Sequence, residues 1–300
     1  MKPLFRSLPD PTMNEPRLAH VQCLGNRGLH RMAYWEWGAA DNPRVLVCVH
    51  GLSRQGRDFD ALARDLSSDY RVVCPDVVGR GRSEWLADPL GYGIPTYVAD
   101  MVTLVARLNV PQVDWVGTSM GGLIGLMLAS LPNAPVRRLV LNDVGPVIQA
   151  QALTRIGSYL GQPAHWPTLE AAADALWAIS QGFGPHTREE WLALTRHQLK
   201  AEGEGYKPHY DPAIAVPFKA VTAELAAAGE AALWAAYDRI TAPTLLLRGA
   251  QSDLLSAETA QAMTQRGPQA QLHTLPGVGH APTLVAADQR AVVRAFLLGP

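Results

Sequence analysis

The chain has 300 residues, 48% of them hydrophobic and 18% charged, with a formal net charge of −1. That is enough apolar material for one large α/β domain carrying an insertion. The near-neutral balance lacks the basic footprint that nucleic acid or an anionic membrane surface demands.

The opening arm carries Pro3, Pro9, Pro11 and Pro16 before any apolar stretch can form, which argues against a signal peptide. No window is apolar for long enough to span a bilayer, so no membrane span is expected and the cytoplasm is the expected location. Next, "HVQCLG" and "RMAYWEWG" flank the turn signal "NRG" and predict a hairpin. "RVLVCVHG" (44–51) is a continuous apolar run ending in His-Gly, the pattern of a strand buried on both faces. "DFDALARDLSSD" predicts a helix, "YRVVCPD" a buried strand, "GRGRS" a loop and "TYVADMVTLVARLN" a helix. A strand "VDWVG", a helix "GGLIGLMLASLP" and a strand "VRRLVLND" follow. Such alternation predicts βαβ units, a mostly parallel sheet and helices on both its faces. Cys23, Cys48 and Cys74 have no C-x-x-C spacing, and the last two lie in the apolar runs. They read as buried thiols of a reducing compartment, not as a disulfide or metal framework.

At Val144-Gly145-Pro146 the alternation stops. Residues 146–240 are rich in alanine and tryptophan and predict an inserted helical layer, with residues 1–145 and 241–300 forming the α/β core. Within the insertion, Trp166, Trp177, Trp191 and Tyr210 are candidates to line a substrate pocket, because aromatics combine apolar area with polar handles. The same side chains would equally serve to hold the layer together. The core pattern resumes with "APTLLLRG", a helix near "AETAQAMTQ", the strand "AQLHTLPG" and a closing helix.

The stretch "VGTSMGG" places Ser119 two residues from a glycine on either side, between a predicted strand and a predicted helix. A turn of this kind holds a hydroxyl above the carboxyl edge of the sheet, close to the backbone N–H groups that open the helix. A serine attacks only when a base takes its proton, and the base needs an orienting carboxylate. His280, in "LPGVGHAPTL" after the last strand, is the candidate base. His273 lies inside that strand, and His165, His186, His197 and His209 fall in the insertion. Two aspartates compete for the acid. Asp253 follows the penultimate strand in "LLLRGAQSDLLS", the commoner chain order, while Asp143 follows the strand after the serine. "HGLS" supplies the backbone N–H of Leu52, which with that of Met120 would make an oxyanion hole.

With "HGLS", "PDVVGRGRS", "GTSMGG", "RGAQSD" and "GVGHAP" in this order, the chain from about residue 30 onward resembles the α/β-hydrolase-fold enzymes. The resemblance implies Ser119 as nucleophile, His280 as base, Asp253 as orienting acid, Leu52 and Met120 as oxyanion donors, and the insertion as a cap. Relatives that displace alkyl groups carry aspartate where this chain has Ser119, so acyl transfer is favoured. The leading expectation is a carboxylic ester hydrolase working through an acyl-serine, without metal or organic cofactor, on a small-molecule ester, as a monomer or homodimer. Family members with similar motifs include hydrolases of short hydroxyalkanoate oligomers. A C–C bond hydrolase, a cofactor-free haloperoxidase or perhydrolase, and a slow-turnover ligand sensor of the same fold remain as alternatives.

Overall fold

The computed structural model describes residues 15–299. Residues 1–14, which hold most of the proline-rich arm, lie outside the described residues. In chain order the core elements are β1 (Arg17–Gly25), β2 (Gly28–Trp37), β3 (Val45–Val49), α1 (Asp60–Leu66), β4 (Arg71–Pro75), α2 (Ile94–Leu108), β5 (Val113–Thr118), α3 (Met120–Ala129) and β6 (Val136–Asn142). The insertion contributes α4 (Ala150–Tyr159), α5 (Leu169–Ser180), α6 (Arg188–His197), the strand pair β7 (Leu199–Glu202) and β8 (Gly205–Pro208), and α7 (Ala215–Lys219). The chain then runs through α8 (Ala223–Tyr237), β9 (Thr244–Gly249), α9 (Ala257–Met263), β10 (Gln271–Leu275) and α10 (Ala287–Leu298).

An eight-stranded sheet in the order β1-β2-β4-β3-β5-β6-β9-β10 organises the molecule. The hairpin β1–β2 is antiparallel, and the pairings from β4 through β10 are parallel. Successive side chains of a strand point to opposite faces, so a run such as Val45–Val49 must have apolar cover on both. Val45, Val47 and Val49 join a cluster with residues of α2 and α3, whereas Leu46 and Cys48 join a second cluster with residues of α1 and α10. Burying each such side chain contributes roughly 1.5–3 kcal/mol. All three cysteines are free and buried.

The insertion departs from the expectation in one way. It contains the antiparallel pair β7–β8, closed at Gly203, which lies at φ +56° where glycine is favoured. Ala236 and Tyr237 of α8 belong to the main core cluster, and the Tyr237 hydroxyl donates to the Met263 carbonyl at 2.7 Å. Only the C-terminal end of α8 is buried in this way; most of its residues before Ala236 are exposed.

The inserted layer is fastened to the core by polar contacts. Tyr92 donates to Asp211 at 2.6 Å, Gly81 N–H to the His209 carbonyl at 3.0 Å, and the Arg155 guanidinium grips Asp253.

Candidate active site

Gly117 and Gly121 make the turn after β5 possible. A Cβ on Gly117 would stand 2.2 Å from the Gly121 carbonyl oxygen, and one on Gly121 would stand 2.0 Å from the Val49 carbonyl oxygen. Strand, turn and helix approach too closely for any side chain there. Ser119, between them, is held at φ 52° and ψ −115°, a sparsely populated conformation for a residue with a side chain. Its carbonyl accepts the N–H groups of Gly122 and Leu123, which anchors it as the N-cap of α3.

The strand ends then deliver its partners. His280 follows β10, and its Nε2 lies 3.0 Å from Ser119 Oγ. Its Nδ1 lies 2.7 Å from Asp143 Oδ2, in the loop after β6. Asp143 is fully buried; its Oδ1 accepts the Gly249 N–H at 2.9 Å, and its Oδ2 also accepts the Ser252 hydroxyl at 2.7 Å.

Asp253, the expected acid, does not stand beside His280. Ser252 N–H donates to the Gly249 carbonyl, a turn that aims the Ser252 hydroxyl inward at Asp143 and leaves Asp253 facing the inserted layer. There Arg155 Nε and Nη2 grip its two carboxylate oxygens at 2.7 and 2.9 Å. Burial works against its charge, but the Arg155 guanidinium prevails and holds the Asp253 carboxyl below the usual range.

On the other side of Ser119, the loop after β3 is fixed through buried groups. A neutral His50 donates from Nδ1 to the Gly51 carbonyl at 2.7 Å and accepts the Val77 N–H on Nε2 at 2.9 Å. Burial holds its pKa down at about 3, against an ordinary 6.5. The fully buried Arg80 donates to the Leu52 carbonyl at 2.8 Å and to the Tyr97 hydroxyl at 2.9 Å, and reaches Met120 Sδ at 3.6 Å. Arg80 therefore ties Leu52 to Met120. Sequence reading passed over it inside "GRGRS"; an arginine flanked by glycines in a loop beyond a buried strand was the available signal.

The cavity above Ser119 has a volume of about 240 Å³ and reaches Leu52, Ser119 and His280. Trp166 and Tyr210 line it, as do Tyr159 and Phe183, which the sequence had not singled out. Trp177 and Trp191 do not. Trp191 is buried against Trp177 in an edge-on contact with ring centroids 5.1 Å apart, and its indole N–H donates to the Ala173 carbonyl at 2.7 Å. These two indoles form the insertion's own small core with Ala173 and Leu194.

Among the described residues one group has donor atoms near enough for a shared cation: Cys23, His30 and Asp100, with ligand atoms within 4.8 Å of one another. None of the three lines the cavity. Burial pushes the Cys23 thiol up to about 12, away from the thiolate that metals bind.

The family profile described as alpha/beta hydrolase fold matches residues 44–287. The chain belongs to that family. The hydrolase is 57% identical over 288 residues to the 3-hydroxybutyrate-oligomer hydrolase of Cupriavidus necator, a match covering 95% of this chain and 98% of that one. It is 30% identical over 256 residues to a pimeloyl-acyl-carrier-protein methyl ester esterase of Xanthomonas oryzae pv. oryzae, covering 82% and 91%. The crystal structure of an alpha/beta hydrolase from Novosphingobium aromaticivorans superposes with a TM-score of 0.83 at 34% identity, covering 95% of this chain and 98% of that one. Among the described residues of the hydrolase, no helix is long and apolar enough to cross a membrane.

Proposed function

We propose that this ester-bond hydrolase cleaves short oligomers of 3-hydroxybutyrate through an acyl-serine intermediate, with Ser119 as nucleophile, His280 as general base and Asp143 as orienting acid. The carrying observation is the placement of one imidazole between Ser119 Oγ and the Asp143 carboxylate, at 3.0 and 2.7 Å. His280 Nε2 takes the hydroxyl proton as Ser119 Oγ bonds to the ester carbonyl carbon. The backbone N–H groups of Leu52 and Met120 receive the oxyanion. Collapse breaks the carbon–oxygen bond to the alcohol, which leaves with the proton held by His280. Water then adds to the acyl carbon, gives its proton to His280, and frees the acid with Ser119 restored. Asp143 keeps Nδ1 protonated and stabilises the imidazolium.

The substrate class rests on the similarity to the oligomer hydrolase and on a cavity small enough to hold a compact ester. The three free cysteines support a cytoplasmic place of action. The test is product analysis with the 3-hydroxybutyrate dimer and trimer. Monomer release by the wild type, with Ser119→Ala at least about 10³-fold slower, is the expected result. Undiminished turnover by Ser119→Ala overturns the mechanism, and cleavage of p-nitrophenyl butyrate without cleavage of either oligomer overturns the substrate.

A further inference from the structure

The cavity wall combines an apolar surface with two guanidinium groups, Arg54 and Arg155, and among the described residues no carboxylate lines it. Each arginine is backed by an acid that is not part of the lining: Asp58 behind Arg54 and Asp253 behind Arg155. The contacts use the same edge in both cases, Nε and Nη2 on the two carboxylate oxygens. A guanidinium carries five N–H donors in a planar fork, so donors remain beyond the edge that faces the acid; at Arg155 they are shared with the Tyr159 hydroxyl, which lines the same cavity.

The two arginines are not equivalent. Arg54 has a side chain only 15% exposed, lies over the Phe183 ring at 5.5 Å, and shares its acid with Gln198. Arg155 has a side chain 38% exposed and extends from the inserted helix α4 into the cavity beside Tyr159. The remaining titratable side chains of the wall are His280, Tyr159 and Tyr210. None of them is negatively charged near neutral pH: burial leads the upward shift of both phenols, and a histidine is neutral or cationic.

We infer that the cavity takes its ester as an anion, and that Arg155, held in place by Asp253, receives a free carboxylate on the substrate. The inference rests on the oligomer reading and sharpens it. A 3-hydroxybutyrate oligomer ends in a carboxylate, and when its last ester bond is cut that carboxylate leaves on the alcohol product. Asp253 then acts as a positioning residue: by occupying Nε and Nη2 it fixes the plane in which the remaining donors point.

The experiment compares the 3-hydroxybutyrate dimer as free acid with its methyl ester, in the wild type and in Arg155→Gln, Arg155→Lys and Arg54→Gln. In the wild type the free acid is the better substrate by kcat/KM, and the advantage shrinks as ionic strength rises. Arg155→Gln lowers kcat/KM for the free acid by about ten-fold or more relative to the methyl ester, the usual scale for a lost charge-assisted contact. Arg155→Lys keeps part of the advantage because it keeps the charge without the fork. Equal use of acid and methyl ester by the wild type overturns the inference and leaves the oligomer reading standing. Cleavage of neither overturns both. Loss of the preference in Arg54→Gln with its retention in Arg155→Gln overturns the role of Arg155. If Arg155→Gln does not fold, the wild-type preference and its salt dependence still decide between an anion-selective and an indifferent cavity.

Discussion

Asp143 and Asp253 both follow parallel strands and both carry partnered carboxylates, yet their partners differ in kind. Asp143 is enclosed by a backbone N–H, the Ser252 hydroxyl and the His280 ring, whereas Asp253 faces a guanidinium at a half-exposed seam. Asp143→Asn is therefore expected to lower kcat by about 10³- to 10⁴-fold, the scale on which loss of an orienting carboxylate acts, with the fold retained. Asp253→Asn is expected to leave the rate of labelling by a small fluorophosphonate nearly unchanged. Steady-state kinetics and labelling on the two variants check the pair, and the reverse ranking would return the acid to Asp253. Ser119 and His280 were legible because a glycine-flanked serine and a glycine-loop histidine leave few other readings. The carboxylate beside His280 was not, since sequence places two aspartates after strands, and the turn that aims Ser252 at Asp143 leaves the adjacent Asp253 facing Arg155. Arg80 was equally hidden, because its use lies in whom it bridges. Arg80→Met should cost about 10²-fold in kcat through loosening of the Leu52 loop. Labelling of Ser119 slowed less than kcat would check that the loop, and not the nucleophile, has moved.

At the scale of elements, the strands were readable from apolar runs bounded by turn residues, since a strand covered on both faces leaves no polar side to obscure it. Helices of the insertion were readable too, but their facing was not. Trp166 and Trp191 carry the same side chain; one lines the cavity and the other fills the core of the inserted layer. Trp191→Ala should destabilise that layer by about 3–5 kcal/mol, the range for removing a buried aromatic. Its signature is early proteolysis between α4 and α7 and a loss of activity toward all esters alike. Trp166→Ala should instead change the ratio of kcat/KM for a short and a long acyl ester, with the urea midpoint little altered. A shared phenotype would mean that both indoles serve the same purpose. Helix α8 shows the other limit of pattern reading: with alanine on every side it has no distinct apolar stripe, so only packing reveals that its buried end is Ala236 and Tyr237.

For the molecule as a whole, the buried His50 and the half-buried His209 tie stability to pH. His50 remains neutral when folded down to about 3, and His209, held down mainly by burial, to about 4, whereas both take protons near 6.5 once unfolded. The unfolded chain therefore binds more protons between these limits, so their contribution is complete above about pH 6.5 and declines as the pH falls toward 3. Urea midpoints measured from pH 7.5 to 4.5 should fall accordingly, and His50→Gln should show a shallower slope even though it starts lower; an unchanged slope would remove His50 from the account. The architecture was legible as alternating strands and helices, apart from the β7–β8 pair inside the inserted layer. That layer has a consequence for how such a protein diversifies. Ser119, Asp143 and His280 all stand on core loops, while Arg155, Trp166 and Tyr210 stand on the segment between β6 and α8. On the proposed reading, chemistry and selectivity are thus separately heritable: a replaced segment can give up an anionic substrate for a neutral one while Ser119, Asp143 and His280 pass unaltered from ancestor to descendant.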